Sequence, residues 1–250
     1  MAAEPIVRLA ELVAGARSPV ALTGAGISVA SGIPDFRSPG TGLWAGVDPM
    51  QVAHIDAWRS DPQRFWSFYG QRFALLDGVA PNAAHRALVD LEARGRLTAV
   101  ITQNIDGLHQ AAGSGEVVEL HGTIASSVCL QDGERVGLAE ARRRLAEAPD
   151  GVPRCAAGHP LKPEVVLFGE LLPEAAMERA LELLVDCDLL LCLGSSLQVQ
   201  PVGDLPSVVR AGGGRIAVLT QGPTPWDDVA DVRLDGSLER DLPALVAALA

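Results

Sequence analysis

Three short stretches of the chain concentrate side chains that can do chemistry. The first runs Gly24-Ala-Gly-Ile-Ser-Val-Ala-Ser-Gly-Ile-Pro-Asp-Phe-Arg37. Glycines directly after a strand let backbone N–H groups approach a pyrophosphate at a helix N-terminus. A Gly-x-Gly pair alone also serves an ordinary tight turn. The residues after it add more. Pro34 stops a helix, and Asp35, Phe36 and Arg37 place an acid, an aromatic ring and a guanidinium in one loop that could cover a bound cofactor. The second stretch, Thr102-Gln-Asn-Ile-Asp-Gly-Leu-His109, sets Gln103, Asn104 and Asp106 at the C-terminal end of an apolar run. Open α/β sheets bind ligands there. Helix capping explains an Asn or an Asp, but not the three polar groups together. The third is Glu119-Leu-His-Gly122. Histidine is the natural general base near neutral pH, although a lone histidine is more often structural than catalytic.

These stretches need a scaffold, and the apolar pattern predicts one. Residues 19–22, 97–101, 189–193 and 215–219 are short, almost wholly apolar runs of the kind that make strands buried on both faces. Helical patterns at 82–94, 173–185 and 203–211 precede the last three, and an apolar-rich helix at 238–249 closes the chain. Strands alternating with helices imply a parallel sheet covered on both sides. Two regions break the alternation. Residues 41–80 hold three of the four tryptophans and a predicted helix at 62–76, and residues 125–165 hold a charged helix at 134–148. The expected fold is therefore α/β, with a smaller lobe built from two insertions.

Composition narrows the function. The 250 residues are 48% hydrophobic, enough for a large core. The formal net charge of -11 argues against nonspecific nucleic-acid binding, which needs clustered Lys and Arg. It would suit a basic protein substrate, but is also common in soluble proteins. Lys162 is the only lysine. No apolar run reaches the length of a membrane span, residues 1–16 read as an amphipathic helix and not a signal peptide, and Cys129, Cys155, Cys187 and Cys192 show no disulfide framework. The expected location is a reducing cytoplasm.

The three stretches together resemble the signature set of the sirtuin family, in order and spacing. Phe168-Gly-Glu170 and Gly194-Ser-Ser-Leu-Gln-Val-Gln-Pro201 extend the resemblance over nearly the whole chain. It implies one Rossmann-like catalytic domain across 1–250, with a core from 1–40, 81–124 and 166–250 and a small lobe from 41–80 and 125–165. It implies NAD as cosubstrate and acyl-lysine proteins as substrates, with no nucleic-acid or membrane partner. Gly24, Ala25 and Gly26 would take the pyrophosphate, with Asp35, Phe36 and Arg37 in the loop over the cofactor. Gln103, Asn104, Ile105 and Asp106 would line the nicotinamide and ribose site, and Gly194, Ser195 and Ser196 the adenosine half. Thr220 stands where the family usually has Asn. The catalytic pair would be His121 and Asn104. The acyl oxygen attacks the ribose carbon as nicotinamide leaves, His121 acts as base on a ribose hydroxyl, and the products are free lysine and O-acyl-ADP-ribose. The peptide would add as a strand between the segments at Phe168 and Val199.

Two details refine that expectation. Tyr69, the only tyrosine, and Arg72 lie one helical turn apart, with Ala53 upstream. A phenol and a guanidinium can hold a carboxylate, and the arrangement resembles the sirtuins that remove succinyl and malonyl groups. The second concerns metal. Most sirtuins hold a structural zinc on two Cys-x-x-Cys halves. Here only Cys129 and Cys155 remain, with Asp132 at one partner position, and Gly158 then His159 at the other. Loss of the metal is the expectation, with the lobe held by Leu138, Leu145 and Val152 and activity indifferent to a chelator. A Cys-Asp-Cys-His site is the alternative. Rival readings of the whole chain are an ADP-ribosyltransferase or NAD hydrolase using the same site, and a noncatalytic NAD or ADP-ribose sensor. The sensor would need no base at His121.

Overall fold

The computed structural model describes residues 4–35, 47–74 and 78–249, without the side chains at 71, 72 and 74. In chain order the elements are α1 (Glu4–Gly15), β1 (Pro19–Thr23), α2 (Pro49–Val52), α3 (Ile55–Ser60), α4 (Pro62–Ala74), α5 (Ala83–Ala93) and β2 (Ala99–Thr102). Next come α6 (Leu108–Ala112), β3 (Val117–Glu119), β4 (Gly122–Cys129), β5 (Arg135–Gly137), α7 (Leu138–Glu147) and β6 (Leu161–Val165). The chain ends with α8 (Glu174–Val185), β7 (Leu189–Leu193), α9 (Pro206–Ala211), β8 (Arg215–Leu219), β9 (Val232–Leu234) and α10 (Leu238–Ala248).

Among the described residues, six strands form one sheet in the order β3-β2-β1-β7-β8-β9, and every pairing is parallel. Strands β1, β2 and β7 are buried at every position, which is why they read as continuous apolar runs. Alternate residues supply two cores. Ala21, Val100, Leu191 and Ala217 meet α1, α5 and α10 on one face, while Leu22, Ile101, Leu190 and Val218 meet α8 and α9 on the other. Asn82 starts α5 with a capping box, its side chain accepting from Ala84 N while His85 accepts from Asn82 N. The strand order reverses between β1 and β7, so the crevice at their C-terminal ends is the topological switch point.

The second sheet is antiparallel, in the order β5-β4-β6. It packs with α2 to α4 around Trp58, Phe65, Trp66 and Phe73, and the Trp66 indole donates to the Leu161 carbonyl at 2.9 Å. Leu138, Leu145 and Val152 join this aromatic cluster. Strand β4 spans 122–129, either side of the boundary expected between 124 and 125. The helix expected at 134–148 starts at Leu138 instead, because Arg135–Gly137 pairs with β4 and buries Val136. Among the described residues no helix is long and apolar enough to cross a membrane.

Candidate functional site

The crevice at the switch point opens into a cavity of about 1560 Å³. It collects side chains far apart in sequence. The glycine turn supplies Gly24, Ala25 and Gly26, with Asp35 beyond it. The loop after β2 supplies Gln103, Asn104 and Ile105, and the turn between β3 and β4 supplies His121. Gly194, Ser195 and Ser196 follow β7, and Thr220 follows β8. Ala53, Tyr69, Phe168 and Val199 form a wall of the same cavity. Phe36 and Arg37 lie outside the described residues, as does the Arg72 side chain, although Arg72 itself belongs to α4.

The glycine turn does something the sequence does not announce. No long helix begins here; two single turns of 3-10 helix follow, Ala25–Ile27 and Val29–Ser31. The N–H groups of Gly24 and Gly26 donate to the carbonyls of Leu193 and Gly194, at 3.0 and 2.9 Å. A Cβ on Gly26 would sit 2.8 Å from Gly194, and one on Gly194 would sit 2.6 Å from Ile27 N. These glycines therefore let the loops after β1 and β7 touch, and two of the amides expected for a pyrophosphate are spent on that contact.

Asn104 is held from behind. Its Nδ2 donates to the Gly24 carbonyl and to Ser28 Oγ, both at 3.2 Å, and its N–H donates to Thr102 Oγ1 at 3.0 Å. Thr102 in turn accepts from Thr23, whose hydroxyl oxygen meets His109 Nε2 at 3.0 Å. The whole chain is buried. It leaves Asn104 Oδ1 buried on the cavity wall with no hydrogen-bond partner among the described residues. A buried acceptor without a partner is costly, so the site awaits a donor. Asp106 does not line the cavity. Its carboxylate accepts from Ser28 Oγ at 2.7 Å and Leu108 N at 2.9 Å, so it braces the loop. His109, the last residue of the same motif, is likewise part of the support.

His121 Nδ1 meets the Gln103 carbonyl at 2.9 Å. Burial lowers the imidazole below its ordinary range, and the Gln103 carbonyl partly offsets this. Gln103 also donates through Nε2 to Ser195 Oγ at 2.8 Å, linking the loops after β2 and β7. Leu197, two residues further on, adopts φ 53 while fully buried. That left-handed conformation is strained for leucine.

Tyr69 stacks on Phe65 with ring centroids 4.5 Å apart and touches Phe68 and Phe73, so α4 fixes its ring. Ala53 and Tyr69 are both buried within the aromatic cluster. Phe168 N donates to the Ala53 carbonyl and Phe168 O accepts from Ile55 N, each at 2.9 Å. The backbone of Phe168 is thus already paired with this wall. Sequence reasoning missed the start of α10 as a site element: Gly236, Ser237, Leu238 and Glu239 also line the cavity. The Gly-Ser pair before that helix was the available signal.

A second cluster lies in the small lobe. Cys129, Asp132, Cys155 and His159 offer ligand atoms that all lie within 4.8 Å of one another. Cys155 Sγ is 3.0 Å, and His159 Nδ1 3.6 Å, from Asp132 Oδ2. Two tight turns bring them there, one closed by Gly133 N on the Cys129 carbonyl and a shorter one by Gly158 N on the Cys155 carbonyl. Tetrahedral zinc with bonds of about 2.0–2.3 Å needs donors roughly 3.3–3.8 Å apart. Two thiols, a carboxylate and an imidazole are suitable donors for it, and their separations, from 3.0 Å up to at most 4.8 Å, span that spacing. The expected loss of metal followed from counting cysteines, and the count does not register this convergence.

A parallel sheet whose switch-point cavity carries a buried amide acceptor and an imidazole is the arrangement of an α/β ligand-binding protein. The chain belongs to the Sir2 family, whose model matches residues 24–201. It is 41% identical over 244 residues to an NAD-dependent protein deacetylase of Sulfolobus acidocaldarius, covering 98% of this chain and 95% of that one. It is 44% identical over 218 residues to NAD-dependent protein deacetylase 1 of Geobacillus kaustophilus, covering 87% of each. Among solved structures, one described as "Sir2-p53 peptide-NAD+" superposes with a TM-score of 0.88 at 35% identity, covering 96% of both chains. Another, from "Structural Basis for the Mechanism and Regulation of Sir2 Enzymes", gives 0.90 at 39% identity over 98% of both.

Proposed function

We propose that this chain is an NAD-dependent protein-lysine deacylase that removes succinyl and malonyl groups, and acetyl groups less well. The observation that carries the reading is that His121, Asn104, Tyr69 and Ala53 line one cavity. One cleft thus brings the imidazole of His121 and the amide of Asn104 together with a wall that includes Tyr69 and Ala53. Relatives named as deacetylases support the reaction class.

NAD, when bound, supplies a ribose carbon activated by departure of nicotinamide. The protein's part is to position and to move a proton. The free Asn104 Oδ1 accepts a hydrogen bond from the ligand. With Nδ1–H donating to Gln103, His121 presents Nε2 as the acceptor that takes a proton from a ribose hydroxyl. The cavity wall aligns a weak amide nucleophile with its target. Tyr69 and Arg72 take the terminal carboxylate, and Ala53 leaves room for it. Because Phe168 already pairs with Ala53 and Ile55, an added peptide strand would bond through its neighbours and the segment at Val199.

The chain works as one catalytic domain, with β4 leading from the core into the small lobe. Four free thiols are consistent with a reducing cytoplasm. Cys129, Asp132, Cys155 and His159 would hold a structural zinc, fastening the two arms of the lobe.

The test is incubation with NAD and matched succinyl-, malonyl- and acetyl-lysine peptides, followed by mass spectrometry, with His121→Ala as control. NAD-dependent desuccinylation lost in the variant supports the proposal. Acetyl removal alone keeps the reaction and discards the carboxylate pocket. Nicotinamide release without deacylation favours ADP-ribose transfer or NAD hydrolysis.

A further inference from the structure

Lys162 is the only lysine in the sequence; every other basic side chain of the Lys and Arg set is arginine. The fold buries it to 4% exposure on β6. Its three ammonium hydrogens match three oxygens: the Val165 carbonyl at 2.7 Å, the Pro163 carbonyl at 3.2 Å and Glu170 Oε2 at 2.8 Å. The same Glu170 oxygen also accepts from Leu167 N at 2.9 Å. One ammonium therefore closes the segment 165–170 into a loop.

That segment touches both halves of the chemistry. Val166 N donates to the His121 carbonyl at 2.8 Å, and Val165 pairs with Gly122. At the other end Phe168 pairs with Ala53 and Ile55, and residues 165–170 line the cavity. A buried ion pair is a poor device for stability, because apolar side chains of similar volume commonly do as well. It is a good device for fixing geometry, since both charges must keep their partners.

We propose that Lys162 is a positioning residue for the acyl-peptide side of the reaction, and that its burial leaves the folded enzyme with no acylable lysine. Through Glu170 and the Val165 carbonyl it holds the channel wall in shape. The first half rests on the deacylase reading; the second does not. Acylation of lysine requires the free amine to attack a thioester carbonyl, lose its proton and expel the thiolate. An enclosed ammonium with all three hydrogens engaged cannot make that approach, and arginine guanidinium stays protonated.

Steady-state kinetics on the full chain, with an acetyl-lysine peptide and NAD varied in turn, test the positioning role. Lys162→Met should raise the KM for peptide at least tenfold and leave that for NAD within twofold, and Lys162→Arg should recover most of the loss. Glu170→Gln keeps the acceptor for Leu167 N and breaks the ion pair, so it answers the question if Lys162→Met does not fold. Unchanged peptide KM in a folded variant, or equal rises for both substrates, overturns the role. An unsubstituted enzyme without deacylation overturns the functional reading and this role with it. Separately, the protein is exposed to acetyl-CoA or succinyl-CoA, folded and in urea, and Lys162 is examined by peptide mass spectrometry. Modification only in urea supports the protected lysine, and modification of the folded protein overturns it.

Discussion

His121 Nδ1 lies 2.9 Å from the carbonyl oxygen of Gln103. A carbonyl can only accept, so Nδ1 carries the proton and Nε2 keeps the lone pair. The loop that carries Asn104 thus selects the basic tautomer of the histidine.

This relationship has a pH consequence. Burial lowers the His121 value from its ordinary 6.5, so the imidazole stays neutral into mildly acidic solution. The acid limb of kcat/KM, which reports the free enzyme, should have its midpoint below 6.5. His121→Ala should cost about 10²–10⁴ in rate. A limb centred above 6.5 would mean that a different group governs the step.

The proposed acyl preference is tested on α4. Replacing Arg72 with Met removes a guanidinium from the helix that carries Tyr69. Charge-assisted pairing with a carboxylate contributes about 1.5–3 kcal/mol, so kcat/KM for a succinyl peptide should fall roughly 10- to 100-fold. Deacetylation should change little. Parallel loss of both activities would remove the carboxylate-pocket assignment. Tyr69→Phe, which keeps the aromatic stack, separates the hydroxyl from the ring.

Two other histidines set the response of stability to acid. His85 and His109 lie with ring centroids 4.9 Å apart, and burial lowers them to about 4 and about 3. Unfolding returns both to 6.5, so below that pH the unfolded chain binds more protons. Their contribution is complete above about 6.5 and declines as pH falls towards the folded-state values. The slope is about 1.4 kcal/mol per pH unit for each imidazole. Urea unfolding should show roughly 2 kcal/mol lost between pH 6.5 and 5.5. A double substitution of His85 and His109 by Gln should flatten that dependence, whatever it does to stability at pH 8.

The small lobe offers a metal test. Elemental analysis of protein purified without chelator should find about one zinc per chain, the stoichiometry of a single closed four-ligand site. Chelation should lower the Tm, and cobalt substitution should give a thiolate charge-transfer band that weakens in Cys155→Ser. Metal-free protein whose Tm ignores the chelator would return the lobe to apolar packing around Leu138, Leu145 and Val152.

The apolar runs of β1, β2, β7 and β8, set among amphipathic helices, make a parallel sheet legible in the sequence because strands buried on both faces have few polar positions to interrupt them. The polar residues at 103, 104 and 121 were legible for a related reason. Gln103 and Asn104 closely follow such a run, His121 lies just past β3, and all three stand where a parallel sheet must bind its ligand. Other features had no local signature. Strand β4 alternates small polar residues, and β6 carries a lysine and a proline, so neither reads as a strand until each has the other to pair with. The contact of Gly26 with Gly194, the meeting of Asp132 with Cys155, and the burial of Lys162 against Glu170 were decided by tertiary structure alone. Each joins segments that local periodicity treats separately. Close approach and desolvation are properties of a pair, present only once the rest of the core has brought its members together.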